Sequence, residues 1–372
     1  MSEPSEDAYA LRTQAAPERP APALAYQPPK PRTYRPRIAL LGAGGISQSH
    51  LDAYRQDGLD VRVICNRTLE RAIARRDEFF PGAEATSDID ATLTRRDIDV
   101  VDITTHPAER AGLIERALVA GKHVLSQKPF VLDLSIGERL ADLADRNGVR
   151  LAVNQNGRWA PHFSYMREAV CTGLLGDVIS CHTGVHWNHG WIKGTPFEQV
   201  DELVLYDFAI HWFDFLTSII GAQARSVFAT STRAAGQDVK PPLLSQALVA
   251  FDSGQASLVF DAAARFGPLD HTYIAGTLGS IASTGPNLGE QVVTLHTEAG
   301  VARPALHGAW FNDGFRGAMG ELICAVEDDR EPLNGARGNL ASLALCFAAI
   351  ASAHRGAPVA PGSVRSLAAA AQ

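Results

Sequence analysis

Arg37-Ile38-Ala39-Leu40-Leu41-Gly42-Ala43-Gly44-Gly45-Ile46-Ser47 is an apolar run that breaks into glycines and then resumes as sequence able to form a helix. A first parallel strand feeding a phosphate-binding turn reads this way. Gly42 suits the tight turn. Gly44 lets the backbone approach a pyrophosphate, whose charge would sit on free N–H groups at the positive end of the following helix. Gly45 and Ile46 complete the turn, and Ser47 holds the third glycine position, where a small residue still permits close helix–strand packing. Taken alone, the stretch also fits a glycine turn with no ligand, so the surrounding segments decide.

Downstream, the pattern predicts a helix over 46–57 and a β-branched strand over 61–65. About twenty residues past the first glycine, an NAD-preferring fold usually places an acid on the adenine ribose. Here Asn66-Arg67-Thr68 stands there. A neutral Asn66 leaves room for a 2'-phosphate and Arg67 can pair with one, which leans the reading toward NADP; Asn can also bind a ribose, so NAD stays open. A helix over 69–79 leads to a strand over 99–103, closed by Thr104-Thr105-His106-Pro107. A helix over 108–120, a strand over 123–125 ending in Ser126-Gln127-Lys128-Pro129, a helix capped by Asp133 and a strand over 150–153 follow. Repeated strand–helix units of this length imply right-handed crossovers and an α/β, doubly wound parallel sheet of the Rossmann type over 36–158.

Beyond about residue 160 the grammar changes. Helices are expected over 162–172, 201–220, 310–327 and 339–353, and strands over 177–187, 226–232, 246–251, 255–260, 271–275, 280–283 and 291–296. Strands in succession with short turns argue for an α+β domain over 159–356 with a largely antiparallel open sheet. Residues 1–35 form a Pro- and Ala-rich arm, disordered or extended over its own domain or a neighbouring subunit, and 357–372 a tail.

Of 372 residues, 46% are hydrophobic and 20% charged, enough for two globular cores. A net charge of −7 with scattered Lys and Arg argues against nucleic acid as partner. Five cysteines without a Cys-x-x-Cys spacing suit reduced thiols in a cytoplasmic protein. Glu3, Glu6 and Asp7 stand where an export signal would be basic, and the apolar stretch 340–353 is too short to span a bilayer, so no membrane association is expected.

Lys128 sits before a proline at the carboxyl end of a parallel strand, where such sheets bind ligands; it fits a solvated lysine as well. Asp207 and His211, four apart in an apolar helix, would share one face as a proton-transfer unit or as a satisfied core pair. His182, His186 and His189 have poor spacing for a metal, and none is expected. The segment from His186 to Trp191, His189 included, reads instead as polar-aromatic lining suited to a sugar ring, or as ordinary loop.

With these residues in hand, the chain resembles the family of glucose-fructose oxidoreductase, inositol dehydrogenase and the MocA proteins. The resemblance rests on the 42–47 glycine turn, Gln127-Lys128-Pro129 where the family usually has Glu-Lys-Pro, Asp207-x-x-x-His211, Trp310-Phe311-x-x-x-Phe315 with Glu321, and Arg337-x-Asn339-Leu340. It implies an enzyme that moves hydride between nicotinamide and a secondary hydroxyl of a sugar, sugar derivative or cyclitol. His211 would be the general base, with Lys128 between nicotinamide and substrate, and Asp207 on a neighbouring hydroxyl or tuning the proton transfer. Gly42, Gly44, Gly45, Ile46, Ser47, Asn66, Arg67, Thr104, Thr105, His106, Gln127, Lys128 and Asn154 would face the cofactor. Lys128, Arg158, His189, Trp191, Asp207 and His211 would face the substrate. Redox-assisted glycoside cleavage, or a regulatory protein that binds cofactor without turnover, are the alternatives. A homo-oligomer, dimer or tetramer, is expected by the same resemblance.

Overall fold

In a computed structural model, residues 16–371 are described. The reading of residues 3–7 as lacking an export signal, and residues 1–15 of the arm, lie outside them. Six strands form one parallel sheet: β1 (Arg37–Leu41), β2 (Asp60–Cys65), β3 (Glu84–Thr86), β4 (Val100–Ile103), β5 (His123–Gln127) and β6 (Leu151–Asn154), in the order β3-β2-β1-β4-β5-β6. The helices α1 (Ser47–Gln56), α2 (Leu69–Phe79), α3 (Ile89–Thr94), α4 (Pro107–Val119) and α5 (Leu134–Arg146) make the crossovers. Ile38, Ala39 and Leu40 are fully buried, because a parallel strand covered on both faces needs a continuous apolar run. Strand order reverses between β1 and β4, which opens a crevice at their carboxyl ends. The three-residue β3 and the short α3 were not expected, being too short to carry a periodic signal.

After α6 (Pro161–Cys171) the second sheet is built from β7 (Val178–His186), β8 (Ala224–Thr232), β9 (Leu244–Phe251), β10 (Gly254–Asp261), β11 (Leu269–Gly276), β12 (Gly279–Asn287), β13 (Glu290–Thr297) and β14 (Gly300–Ala302). Its order is β14-β13-β12-β11-β7-β10-β9-β8, antiparallel except between β7 and β10. The largely antiparallel expectation therefore holds.

Three expectations need correction. The helix expected over 201–220 is two elements: a π-helix from Leu203 to Phe208, marked by Ala209 N–H donating to Val204 O five residues back (2.8 Å), and α7 (Ile210–Ile220). Asp207 therefore stands in the π-helical segment and His211 in α7, and no hydrogen bond joins the two side chains. Helix α8 (Trp310–Glu327) was assigned with the second layer by chain order, yet Phe315, Met319, Leu322 and Ile323 pack with Ile38, Leu40 and Val100 against the first sheet. Helix α9 (Ala336–Arg355) is 20 residues long, so length alone no longer excludes a membrane span; it packs instead against α5, α7 and β8 as a core helix. A last short helix is α10 (Leu367–Ala370).

The described part of the arm lies extended over its own chain. Glu18 bridges Val301 of β14, and Tyr165 Oη donates to Pro22 O at 2.9 Å. The Glu327 carboxylate accepts the backbone N–H groups of Arg32 (2.7 Å), Thr33 (2.6 Å) and Tyr34 (2.9 Å) and the Thr33 hydroxyl (2.8 Å). Those bonds favour the ionised form and hold its pKa down to about 2, from an ordinary 4.5. The sign follows: the anchor is fully present above pH 4.5 and lost as pH falls through about 2. Glu327→Ala should therefore release the arm at neutral pH, seen as faster proteolytic cleavage between residues 16 and 34 with the rest of the chain intact. Unchanged cleavage would show that other contacts hold it.

Candidate active site

The crevice begins at Gly42, whose φ of +107° excludes other residues and whose missing Cβ would meet Thr104 Oγ1 at 3.0 Å. Thr104 Oγ1 donates to Gly42 O (2.5 Å) and Ser47 Oγ to Gly44 O (2.6 Å), so Ser47 buttresses the turn from within. Gly44 and Gly45 face open space on their Cβ side, and Ile46 precedes α1 as its N-cap. Asn66 Oδ1 accepts Ala43 N–H (2.9 Å) while Nδ2 donates to Thr68 O (2.9 Å), stapling the turn to the end of β2. Arg67 forms an exposed pair with Glu109 at 2.9 Å. A cavity of about 360 Å³ lies among Gly42, Gly44, Asn66, Arg67, Thr105, His106 and Glu109. Arg71 lines this cavity and a second one of about 400 Å³ beside Gly45 and Arg75. His106 caps α4 by accepting Ala108 N–H, and Thr105 Oγ1 is buried with no partner among the described residues.

At the next strand ends, Gln127 and Asn154 are register partners. Gln127 Oε1 accepts the Lys128 backbone N–H (2.7 Å) and Asn154 Nδ2 (3.2 Å). The peptide between Lys128 and Pro129 is cis. The buried Arg110 guanidinium spans the edge, donating to Thr105 O (2.6 Å), Gln127 O (2.5 Å) and Pro129 O, and burial holds its pKa down to about 10. Lys128 Nζ donates to Asp207 O (2.8 Å) and lies 3.2 Å from Asp207 Oδ2, so the two layers meet here. His211 shows no hydrogen bond to Asp207; its Nδ1 is buried and has no partner among the described residues. Burial, then the Lys128 charge, push the His211 pKa well below the ordinary imidazole value. Its ring is neutral at neutral pH. Trp310 packs edge-on against it at 5.4 Å.

His189 is sandwiched between Trp187 (3.7 Å) and Phe208 (4.1 Å), the residue after Asp207, and burial lowers its pKa to about 4. Trp191 and Phe197, both partly exposed, stack beyond it. Arg158 is a correction. Its guanidinium is buried, donating to Asp214 (2.6 and 2.9 Å) and Leu333 O (2.5 Å), so its charge is matched inside the fold and not by a substrate. Sequence reasoning missed Arg71, Glu109 and Arg110, and also His50, Tyr54 and Asp102. A polar Asp102 inside an apolar strand was the available signal for the last group.

Comparison with known proteins matches residues 36–155 to the model of the oxidoreductase family with an NAD-binding Rossmann fold, and residues 163–282 to the GFO/IDH/MocA C-terminal domain. The chain belongs to the GFO/IDH/MocA oxidoreductases. It is 27% identical over 339 residues to D-apiose dehydrogenase of Paraburkholderia graminis, covering 86% of this chain and 88% of that one. It is 28% identical over 325 residues to inositol 2-dehydrogenase of Rhizobium meliloti, covering 85% and 96%. An Agrobacterium radiobacter oxidoreductase crystallised with NAD+, L-tartaric acid and magnesium shares the fold, with a TM-score of 0.78 at 21% identity over 89% of this chain and 99% of that chain. The residues of the crevice fit a nicotinamide dinucleotide: a glycine cradle that a Cβ would fill, and buried oxygens on Thr105 and Asn154 without partners among the described residues.

Arg158→Met should cost about 3–5 kcal/mol of unfolding free energy, because it strands the buried Asp214 carboxylate. Denaturant melts check this. A near-normal melt would return Arg158 to the ligand-facing set.

Proposed function

We propose that this protein is an NAD(P)-dependent dehydrogenase or reductase acting on a secondary hydroxyl of a sugar, sugar derivative or cyclitol. The observation that carries the reading is a neutral His211, its buried Nδ1 without a partner among the described residues, beside a Lys128 ammonium held by Asp207, at the carboxyl edge of a cofactor-binding sheet. When bound, the dinucleotide supplies the hydride acceptor. His211 takes the hydroxyl proton, being unprotonated well into acid. Lys128 Nζ lowers the cost of negative charge developing on the substrate oxygen, and Asp207 fixes that ammonium from the second layer. The partly exposed Trp191 and Phe197, with Phe208 adjoining Asp207, suit the apolar faces of a ring whose hydroxyls reach the charged residues. The named activities of the apiose and inositol relatives support the same substrate class.

For the cofactor, the reading leans to NADP. No acid ends β2, Arg71 borders both cavities, and the exposed pair between Arg67 and Glu109 contributes little, so a 2'-phosphate can replace it. The proposal includes a homo-oligomer, dimer or tetramer, formed through the open sheet face. One row of register partners there runs Phe228, Leu248, Ser257, His182, Tyr273, with Phe228, Leu248 and Tyr273 exposed. Light scattering reads the mass.

The test is a panel of sugars and cyclitols screened with both cofactors for the reduced-nicotinamide absorbance band. Net reduction with at least one polyol is expected, faster with NADP. Asn66→Asp should shift preference toward NAD, since a carboxylate keeps the bond to Ala43 N–H but repels a 2'-phosphate. Sugar release without net reduction, or tight cofactor binding with neither, would replace the reading; an unchanged NADP-to-NAD ratio in the variant would remove Asn66 from cofactor choice.

A further inference from the structure

Beneath Lys128 lies a polar cluster that the proposed chemistry does not use. His50 of α1 is fully buried, and its Nδ1 lies 2.8 Å from Asp102 Oδ2 of β4. Tyr54 Oη, one helical turn on, donates to the same oxygen at 2.7 Å. The other ring nitrogen, Nε2, lies 3.1 Å from Asn154 Nδ2 and 3.3 Å from Gln127 Nε2. Phe315 of α8 closes the remaining side, its ring 4.8 Å from the imidazole.

The proton positions follow from one donor that cannot be reversed. The Lys128 backbone N–H points at Gln127 Oε1, so that atom is the amide oxygen and the NH₂ end faces His50. Asn154 Nδ2 lies 3.2 Å from that oxygen, so it too is an NH₂ group, and it faces His50 Nε2. His50 Nε2 therefore accepts, and its proton sits on Nδ1, facing the Asp102 carboxylate. The chain ends at Asn154 Oδ1, a buried acceptor with no donor among the described residues, at the carboxyl end of β6 beside Lys128.

We infer that His50 is a positioning residue: held as the Nδ1–H tautomer by Asp102, it turns the Asn154 amide so that Oδ1 is presented to a ligand donor, which in a nicotinamide dinucleotide is the carboxamide N–H. Gln127 belongs to this arrangement. A glutamate there would place an oxygen against Nε2 and require the imidazole to donate from both nitrogens. The inference rests on the proposed cofactor site, but its tests need neither substrate nor turnover.

Two variants separate positioning from mere support of a buried carboxylate. His50→Asn keeps a donor near the Nδ1 position for Asp102 and loses the acceptor toward Asn154. His50→Gln reaches the Nε2 position with its amide oxygen and keeps that acceptor. Fluorescence titration with reduced dinucleotide, on variants shown to be folded by thermal melts, should give roughly tenfold weaker binding for His50→Asn, the worth of one misdirected buried hydrogen bond, and a smaller loss for His50→Gln. The opposite ranking, or equal affinities, would assign His50 to structural support alone. Independently, ¹⁵N-histidine spectra at pH about 8, above the ordinary imidazole range, should show His50 protonated on Nδ1 with a lone pair on Nε2. A proton on Nε2 would overturn the inference even if the protein proves to be a dehydrogenase.

Discussion

An ammonium group mostly shut away from water needs oxygen around it, and Lys128 finds it in the other layer of the molecule. Its Nζ meets the Asp207 carbonyl and carboxylate where the π-helical segment passes into α7, at the edge where the second layer meets the cofactor crevice. A carbonyl at a π-to-α junction is partly released from the helical ladder, which leaves it able to receive such a donor. That contact ties the end of β5 to the second layer at Asp207, whose neighbour Phe208 belongs to the aromatic wall with Trp187 and His189. A buried or half-buried ion pair is weak evidence for stability, so the contact counts here for where it holds the ammonium.

The same cation governs its neighbour. His211 is kept unprotonated by burial first and by Lys128 second. In the proposed mechanism, the group that stabilises charge on the substrate oxygen also keeps the base ready. Proximity to neutral pH, expected from an ordinary imidazole, gives way to a base that fails only in acid.

Much of the fold was legible because its signals are local. The continuous apolar run 37–41 needs two covered faces, the glycines at 42, 44 and 45 need a turn, and the alternation along 244–251 needs one wet face; each of these is visible within a few residues. What escaped depended on partners far along the chain. Arg158 looked free because Asp214 lies 56 residues on, and His50 went unnoticed because its partner Asp102, the one signal for that group, is 52 residues away. The structural part of Asn66 also escaped, since its bonds to Ala43 N–H and Thr68 O join segments that the sequence does not pair. The π-helical turn before α7 escaped for a different reason: the apolar pattern over 201–220 does not tell a π-helical turn from an α-helical one. Helix α8 shows the limit for layers, since nothing within 310–327 says which sheet its apolar face will cover.

The central claim is that His211 is the base and not a packed core histidine. It is tested most directly by His211→Asn, with cofactor affinity read by fluorescence and turnover by steady-state rate on the same preparation. The expected result is cofactor affinity close to wild type with turnover lowered by roughly 10²- to 10⁴-fold, together with loss of an ionisation that in the wild type lies on the acid side of neutrality. Turnover near wild type in the variant, with the acid limb of the profile unchanged, would contradict the claim.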